Sequence, residues 1–575
     1  MPLLDGRQNR SLVSEHGRRL ALLSGCLLLA TAGCSLLYDV SGVQCSDTSD
    51  CQRLGPAFEG TMCQRSFCVT TNTGTGGDGG GGGDPEGCTS NAQCIDADPY
   101  GRATACIDGE CIKLIGPGCP WVIGLGEGMK NLRQPAPIII GAYAPMDDIA
   151  PSVSTYVMNY ELAIDEMNRE TSGGLTGGPG GSSRPFIAVL CGSIENPDLA
   201  GSMDHLIEDL RVPAIIAALN PPDLKELFNT KGLPNDVFFM SPIDADTTLT
   251  TLPDSGLLWH MLPEGQDLAV GYVALVREVE KYLRQERELD LAEPIKVALV
   301  EARSQFLLDI GTKLRADLTF NGDLGTKANE DSGHFLAART DAAAQVDDPD
   351  VTKATDALLD FEPDIVISLG TEESLVLIHD LDARWAPTLG PKPFYVVSPM
   401  VSGLAALTTL DAAKGRLMGV NFAGAEDTTL YDELQRNLRL EYGAISGLDG
   451  KENFYDAVYY VMYAIAAAGS QGDLSGRDVK NGLARVIDMQ SPTSFPVGPG
   501  RIPEALAYLT SPNSRFALEG TLGPPSFNEI TGARDGRPSY FCVANGERIQ
   551  DALLYDPENH AVTGTQSCIA DFPVP

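Results

Sequence analysis

The chain is predicted to be an α/β protein whose parallel-sheet body follows small disulfide-stapled modules. Three observations predict this. From Pro137 onward, short continuous apolar runs alternate with amphipathic stretches, beginning PIIIGAYAPMDD and then MNYELAIDEMNRETSGGLTGG. Strand, loop, helix and glycine-rich turn in that order make one β-α-β unit. Upstream, Cys45, Cys51, Cys63 and Cys68 are spaced C-x5-C-x11-C-x4-C, and Cys88, Cys94, Cys106 and Cys111 repeat that spacing unchanged. Finally, 575 residues exceed a single core, so two or three compact units are expected.

The N-terminus reads as an export signal. Arg18 and Arg19 precede an apolar run from Leu20 to Ala32, too short to span a bilayer. The run ends Thr31-Ala32-Gly33-Cys34, which resembles a bacterial lipobox with Thr31 where leucine is usual. Two rivals stand beside it: an A-x-A cleavage site at Ala30-Thr31-Ala32, and a second lipobox-like run, Leu23-Ser24-Gly25-Cys26. Parity favours Cys34. Of 14 Cys, losing Cys26 with the signal and acylating Cys34 leaves twelve, which can pair completely. Residues 1–33 are therefore read as signal peptide and Cys34 as the lipidation site. The expected location is the bacterial cell envelope, periplasmic or surface-exposed, with the membrane touched through the anchor alone.

Each cysteine repeat spans about 25 residues, too few to bury a core without staples. Residues 34–69 are assigned to the anchor and first module, and 86–118 to the second. Two internal disulfides are expected in each, with connectivity open because four cysteines allow three patterns. Zinc is the competing reading, but the paired C-x2-C of zinc ribbons is absent. Cys542 and Cys568 lie close in sequence and are paired here, which leaves Cys119 with Cys191. Between the modules, residues 70–85 are glycine-dense and behave as a random coil with a reach on the order of 20 Å. Residues 35 to about 118 thus read as a jointed stalk.

In the body, strands are expected at Ile138–Tyr143, Phe186–Leu190, Pro213–Ala218, Val237–Met240, Lys296–Val300, Asp364–Leu369, Phe394–Val397 and Arg416–Asn421. Continuous apolar runs suit strands covered on both faces. Helices are expected at Leu199–Leu210, Gln266–Gln285, Val351–Phe361 and Tyr431–Tyr442.

Four motifs in order resemble the type I periplasmic binding proteins, the branched-chain amino-acid receptor family. Ile140, Gly141 and Pro145 match its I-G-x-x-x-P strand-loop; Glu166, Asn168, Gly173, Gly174 and Gly177 match E-x-N followed by G-G-x-x-G. Asp364 to Gly370 resembles the second-lobe strand ending in glycine. Asn453-Phe454-Tyr455-Asp456-Ala457-Val458 resembles the Y-D-A-V helix, and Gly520 to Gly523 with Phe527-Asn528 resembles the closing segment, Asn528 replacing aspartate. The resemblance implies two doubly wound lobes joined by a hinge. Lobe 1 would take 137–262 and 418–495, and lobe 2 would take 263–417 and 496–575. The hinge would lie near Leu262-Pro263, Met418-Gly419 and Val497.

Composition and motifs narrow the function. A formal net charge of −37 repels phosphate backbones, so no nucleic acid is expected. There is no H-E-x-x-H, G-x-S-x-G or Walker loop, and Gly124-Leu125-Gly126-Glu127-Gly128 does not match the dinucleotide fingerprint. The six His are scattered, and Asp347, Asp348 and Asp350 read as a solvated turn. The expectation is a non-enzyme with no cofactor and no metal.

The ligand site must then lie beyond strand carboxyl ends. Tyr143, Asn220, Ser241, Asp244, Phe306, Thr371 and Asn421 fall there. Relatives carry serines where this chain has Asn220-Pro221-Pro222, S-P-x-x-T where it has Ser241-Pro242-Ile243-Asp244-Ala245, and often a tyrosine at Phe306. These departures point away from an ordinary α-amino acid. Asp244 suits a cationic or polyhydroxylated ligand, or else caps the helix after it. The resemblance implies a lipid-anchored solute-binding protein that delivers a small polar ligand to an ABC permease or sensor. The alternative is a degenerate binding fold serving as a cell-envelope protein-interaction module, as in cell-wall synthase activators of this architecture.

Overall fold

The structure is a computed structural model that describes residues 61–64, 67–70, 87–145, 154–178, 181–192, 198–290, 292–340, 349–401, 413, 415–425, 427–443, 451–469, 472–544 and 547–564. It contains two compact units, Met1–Asp84 and Pro85–Pro575. In the first, Thr61–Gln64 pairs antiparallel with Phe67–Thr70, placing Cys63 opposite Cys68. Cys34, Cys45 and Cys51 lie outside the described residues, as does Cys568.

The second cysteine module opens the larger unit. Its hairpin, Thr104–Ile107 with Glu110–Lys113, places Cys106 opposite Cys111, the register of the first module. The bridges are Cys88–Cys106 and Cys94–Cys111, so the first cysteine pairs with the third and the second with the fourth. Among the described residues, the one group of three side chains close enough to share a metal is Cys88, Cys94 and Cys111. All three are disulfide sulfurs and offer no thiolate.

This module is no joint in a stalk. Ile95, Ala103, Ala105 and Leu114 are buried in one apolar cluster with Leu132, Val189 and Leu206 of the body. Asn91 Nδ2 donates to the Leu132 carbonyl at 2.9 Å, while its Oδ1 accepts from Cys106 N at 2.7 Å. Imidazole Nε2 of His205 meets the Leu114 carbonyl at 3.0 Å. Too small to enclose a core, the module completes one by sharing the body's. Cys119–Cys191 ties the connection that follows it to a central strand.

Beyond the module stand two sheets. Lobe 1 has six strands in the order Leu258–His260, Phe238–Ser241, Ala214–Ala217, Ile138–Ala144, Phe186–Gly192, Trp121–Ile123. All pair in parallel except the last, which is antiparallel. Lobe 2 has eight: Phe335–Thr340, Val297–Ala302, Ile365–Leu369, Phe394–Val397, Leu417–Phe422, then Pro538–Ala544, Glu547–Asp556 and Ala561–Thr563. The first five are parallel and the last three antiparallel. Counting parallel strands by appearance, both sheets run 2-1-3-4-5, a doubly wound order.

Two of the three expected crossings move. The first lies by Leu262-Pro263: Leu258–His260 is an edge strand of the lobe 1 sheet, and the helix Gly265–Glu286 buries its apolar face in the core of lobe 2. The second falls after Phe422, because Leu417–Phe422 pairs with Phe394–Val397 and with Pro538–Ala544 inside the lobe 2 sheet. The third falls just before Pro538, and residues 496 to about 527 belong to lobe 1. There Phe516, Leu518, Ile502 and Leu509 bury against the tyrosine-rich helix Glu452–Ala468. Gly536 lies at this crossing. A Cβ there would stand 2.3 Å from Pro263 Cγ and 2.7 Å from Phe422 Cδ1, so the three crossing segments touch.

The motif residues prove to be organisers of lobe 1. Asn168 exchanges two 2.8 Å hydrogen bonds with the Phe186 backbone, fixing the helix Thr155–Glu170 to the next strand. Glu166 is buried and accepts from the hydroxyls of Tyr455 at 2.5 Å and Tyr459 at 2.8 Å. Asp456 accepts from Thr521 N and Oγ1, both at 3.0 Å, and from Leu522 N at 3.2 Å. Gly520 is required beside it, since a Cβ would sit 2.3 Å from Asp456 Oδ2.

Candidate functional site

The lobes meet where the fourth strand of one sheet ends near the helix that follows the first strand of the other. Phe238–Ser241 leads through Asp244 to the short helix Thr247–Thr250, and Val297–Ala302 leads into the helix Gln305–Asp317. Both oxygens of Asp309 accept from Thr247, Oδ2 from the backbone N at 2.9 Å and Oδ1 from the hydroxyl at 2.8 Å. Gln305 Nε2 donates to the same Oδ1 at 2.7 Å. Nearby, Thr250 donates to Glu264 at 2.5 Å, beside the first crossing. His260 N donates to the Gly532 carbonyl at 2.8 Å, beside the third.

Asp244 stands at the centre of this seam. Its Oδ1 accepts from Asp246 N at 3.1 Å, and its carbonyl faces His260 Nδ1 at 2.7 Å. Burial, reinforced by the charge of Asp246 and then of Asp309, pushes its carboxyl up to about 7. The helix cap expected of Asp244 belongs to Asp246. Asp246 Oδ1 accepts from Thr248 N at 2.9 Å and Thr248 Oγ1 at 2.6 Å, while Oδ2 is buried without a partner. Burial raises Asp246 as well. His260 is wholly buried, and that burial drives its imidazole down to about 4. A carbonyl at Nδ1 fixes the proton there, so Nε2 carries the lone pair, and it too has no partner.

The other expected residues divide. Phe306 lies at the start of the Asp309 helix and packs edge-on against Phe422 at 6.4 Å, next to Asn421. Phe306 lies beside Gly265 and Phe422 beside Gly536, at the crossings. Ser241 is buried, with Oγ accepting from Asp244 N at 3.3 Å. Thr371 is folded onto Glu373, donating its N at 2.9 Å and its hydroxyl at 2.7 Å. Asn220 caps the helix Pro221–Leu227, accepting from Asp223 N at 3.0 Å. Tyr143 points away from the seam: it is wholly buried in the cluster shared with the cysteine module, its hydroxyl 2.8 Å from Ser202 Oγ.

Asp246, Thr247, Asp309 and His260 were missed. Asp246 followed by Thr-Thr-Leu-Thr carries a cap signal as good as that of Asp244. Asp309 offers no such signal, because its partner is 62 residues away.

No family profile matches the sequence, and no curated protein matches it. Solved structures do. One assigned to a branched-chain amino acid ABC transporter of Silicibacter pomeroyi is 16% identical, with 74% of this chain and 97% of that one covered at a TM-score of 0.50. The leucine binding protein of Thermotoga maritima is 13% identical, with 73% and 99% covered at 0.49. A solute binding protein of an R. palustris ABC transporter, solved with benzoate, is 12% identical, with 72% and 95% covered at 0.47. With two 2-1-3-4-5 sheets, three crossings and the first of these matches, the chain has the fold of the type I periplasmic binding proteins.

Proposed function

We propose that this chain is an extracytoplasmic solute-binding protein. It holds a small polar ligand between its lobes and presents it to an ABC-type permease or a sensor. The observation that carries the reading is the seam itself: polar side chains of both lobes converge beside crossings that allow hinge motion. Asp244 and Phe306 would contact the ligand, with Asn421 close by. Among the described residues no helix is long and apolar enough to cross a membrane. By the sequence pattern before it, Cys34 would carry the anchor, which labelled palmitate tests: it should enter the wild type and not Cys34→Ser.

A thermal-shift screen of amino acids, organic cations, sugars and aromatic acids tests the binding role. A receptor should gain about 2.7 kcal/mol at a hundredfold excess of ligand over Kd. A second reading, a partner-binding module that has lost its ligand, is favoured by one feature: Thr247–Asp309 and Thr250–Glu264 already join the lobes directly. Silence across the whole panel would transfer the assignment to that reading.

A further inference from the structure

We propose that the solute taken between the lobes is a small organic cation, an ammonium or guanidinium compound, held by Asp244 and Asp246 of one lobe and Asp309 of the other. This rests on the solute-binding reading above and narrows it.

Charge balance is the first ground. The charges acting most strongly on Asp244 are those of Asp246 and Asp309, and none of the three carboxylates has an ion-pair partner among the described residues. Asp246 is fully buried and Asp309 is 8% exposed. Buried carboxylates are costly unless a positive charge or a full set of hydrogen bonds meets them. Asp309 has three donors, but Asp246 Oδ2 has none. Among the described residues, neither His260 nor Arg534 packed against it does this. His260 is held neutral by its burial, and its unpartnered Nε2 is an acceptor. Arg534 turns its Nη2 to the carbonyls of Leu522 and Pro524 in lobe 1.

Composition is an independent second ground. The chain's formal net charge is −37, so its surface as a whole repels an anionic solute and draws in a cation.

The class of cation follows from spacing. The three seam carboxylates are not close enough together for one bare ion to be bound by all of them. An organic cation with several N–H donors reaches further and can hydrogen-bond to Asp244 and Asp246 at once. Phe306 and Phe422 provide an apolar wall for its carbon skeleton.

The test is calorimetry on the full chain with putrescine, agmatine and spermidine, against CaCl2 and NaCl at matched ionic strength and a neutral sugar and amide set. At least one organic cation should bind, and both Asp246→Asn and Asp309→Asn should weaken it tenfold or more. Asp244→Asn serves as a third variant should either unfold, which circular dichroism reports. Binding of calcium alone, or cation binding unchanged in folded Asn variants, overturns the proposal. Neutral solutes binding while cations do not would sink it and leave the solute-binding reading standing. No binding by any solute of this set overturns the proposal, and silence across the wider thermal-shift panel removes the solute-binding reading as well.

Discussion

The two lobes use the same 2-1-3-4-5 strand order and finish their sheets differently. Lobe 1 adds one antiparallel strand, Trp121–Ile123, beside its second strand, and the connection before it is bolted by Cys119–Cys191. Lobe 2 adds the antiparallel strands Pro538–Ala544, Glu547–Asp556 and Ala561–Thr563 beside its fifth. Sheet edges left open invite pairing with other chains. One of these edges is covered by the segment that follows the cysteine module, and the other by the strands that follow Pro538. Cys542, in the first of those added strands, is disulfide-bonded; Cys568, paired with it from the sequence, lies outside the described residues. The difference teaches that the parallel core is the shared element, while the edges are where this chain departs from it.

The contrast can be broken most forcefully at the bolt. Cys119→Ser with Cys191→Ser releases a loop of 72 residues, worth about 4 kcal/mol by the chain-entropy model. Denaturant unfolding followed by a probe in each lobe should show the lobe 1 transition moving to lower denaturant and the lobe 2 transition staying put. Equal movement of both would mean that the lobes unfold as one body and that the edges are not independent devices.

A smaller effect separates the seam from the cores. The folded pKa of Asp244 is about 7, above its ordinary 3.8, so the folded state holds its proton more tightly than the unfolded chain. Its contribution to stability is complete below about pH 4 and is lost as pH rises through about 7. His260, lowered from 6.5 to about 4, acts oppositely: its contribution is present above 6.5 and is lost as pH falls toward 4. Asp165 and Asp267, each raised to about 6, add to the trend of Asp244. The isosteric Asp244→Asn removes one contribution only. Without ligand, its melting temperature relative to wild type should climb between pH 4 and pH 7. A difference independent of pH would show that Asp244 is not held apart from solvent, and would weaken the case for a seam short of positive charge.

Much of the fold was legible locally. Continuous apolar runs marked eight body strands, because a strand buried on both faces needs no polar alternation. Phe394–Val397 was placed to the residue, and the long helix Gly265–Glu286 within one residue at each end. The added edges were not legible: Trp121–Ile123 is three residues long, and Glu547–Asp556 mixes charged and apolar positions as an exposed strand does. The site was partly legible. Asp244 and Phe306 could be placed at strand ends by counting; in the fold the carbonyl of Asp244 faces His260 and Phe306 lies beside Gly265. Tyr143 could not, since its direction depends on which face of the sheet the cysteine module covers.

By itself the sequence determined the duplicated cysteine spacing, the acidic charge, the parallel α/β body and the order of its motifs, all of which are local or compositional. Tertiary structure alone decided the bridge pattern of the second module, its burial against lobe 1 and the true crossing points. It also decided the meeting of Thr247 with Asp309 and the role of Glu166 beneath two tyrosines 289 and 293 residues away. The physical reason is that local propensity fixes which segments become strands and helices. Which side chains share a dry interior depends on how those segments pack, and no spacing along the chain records it.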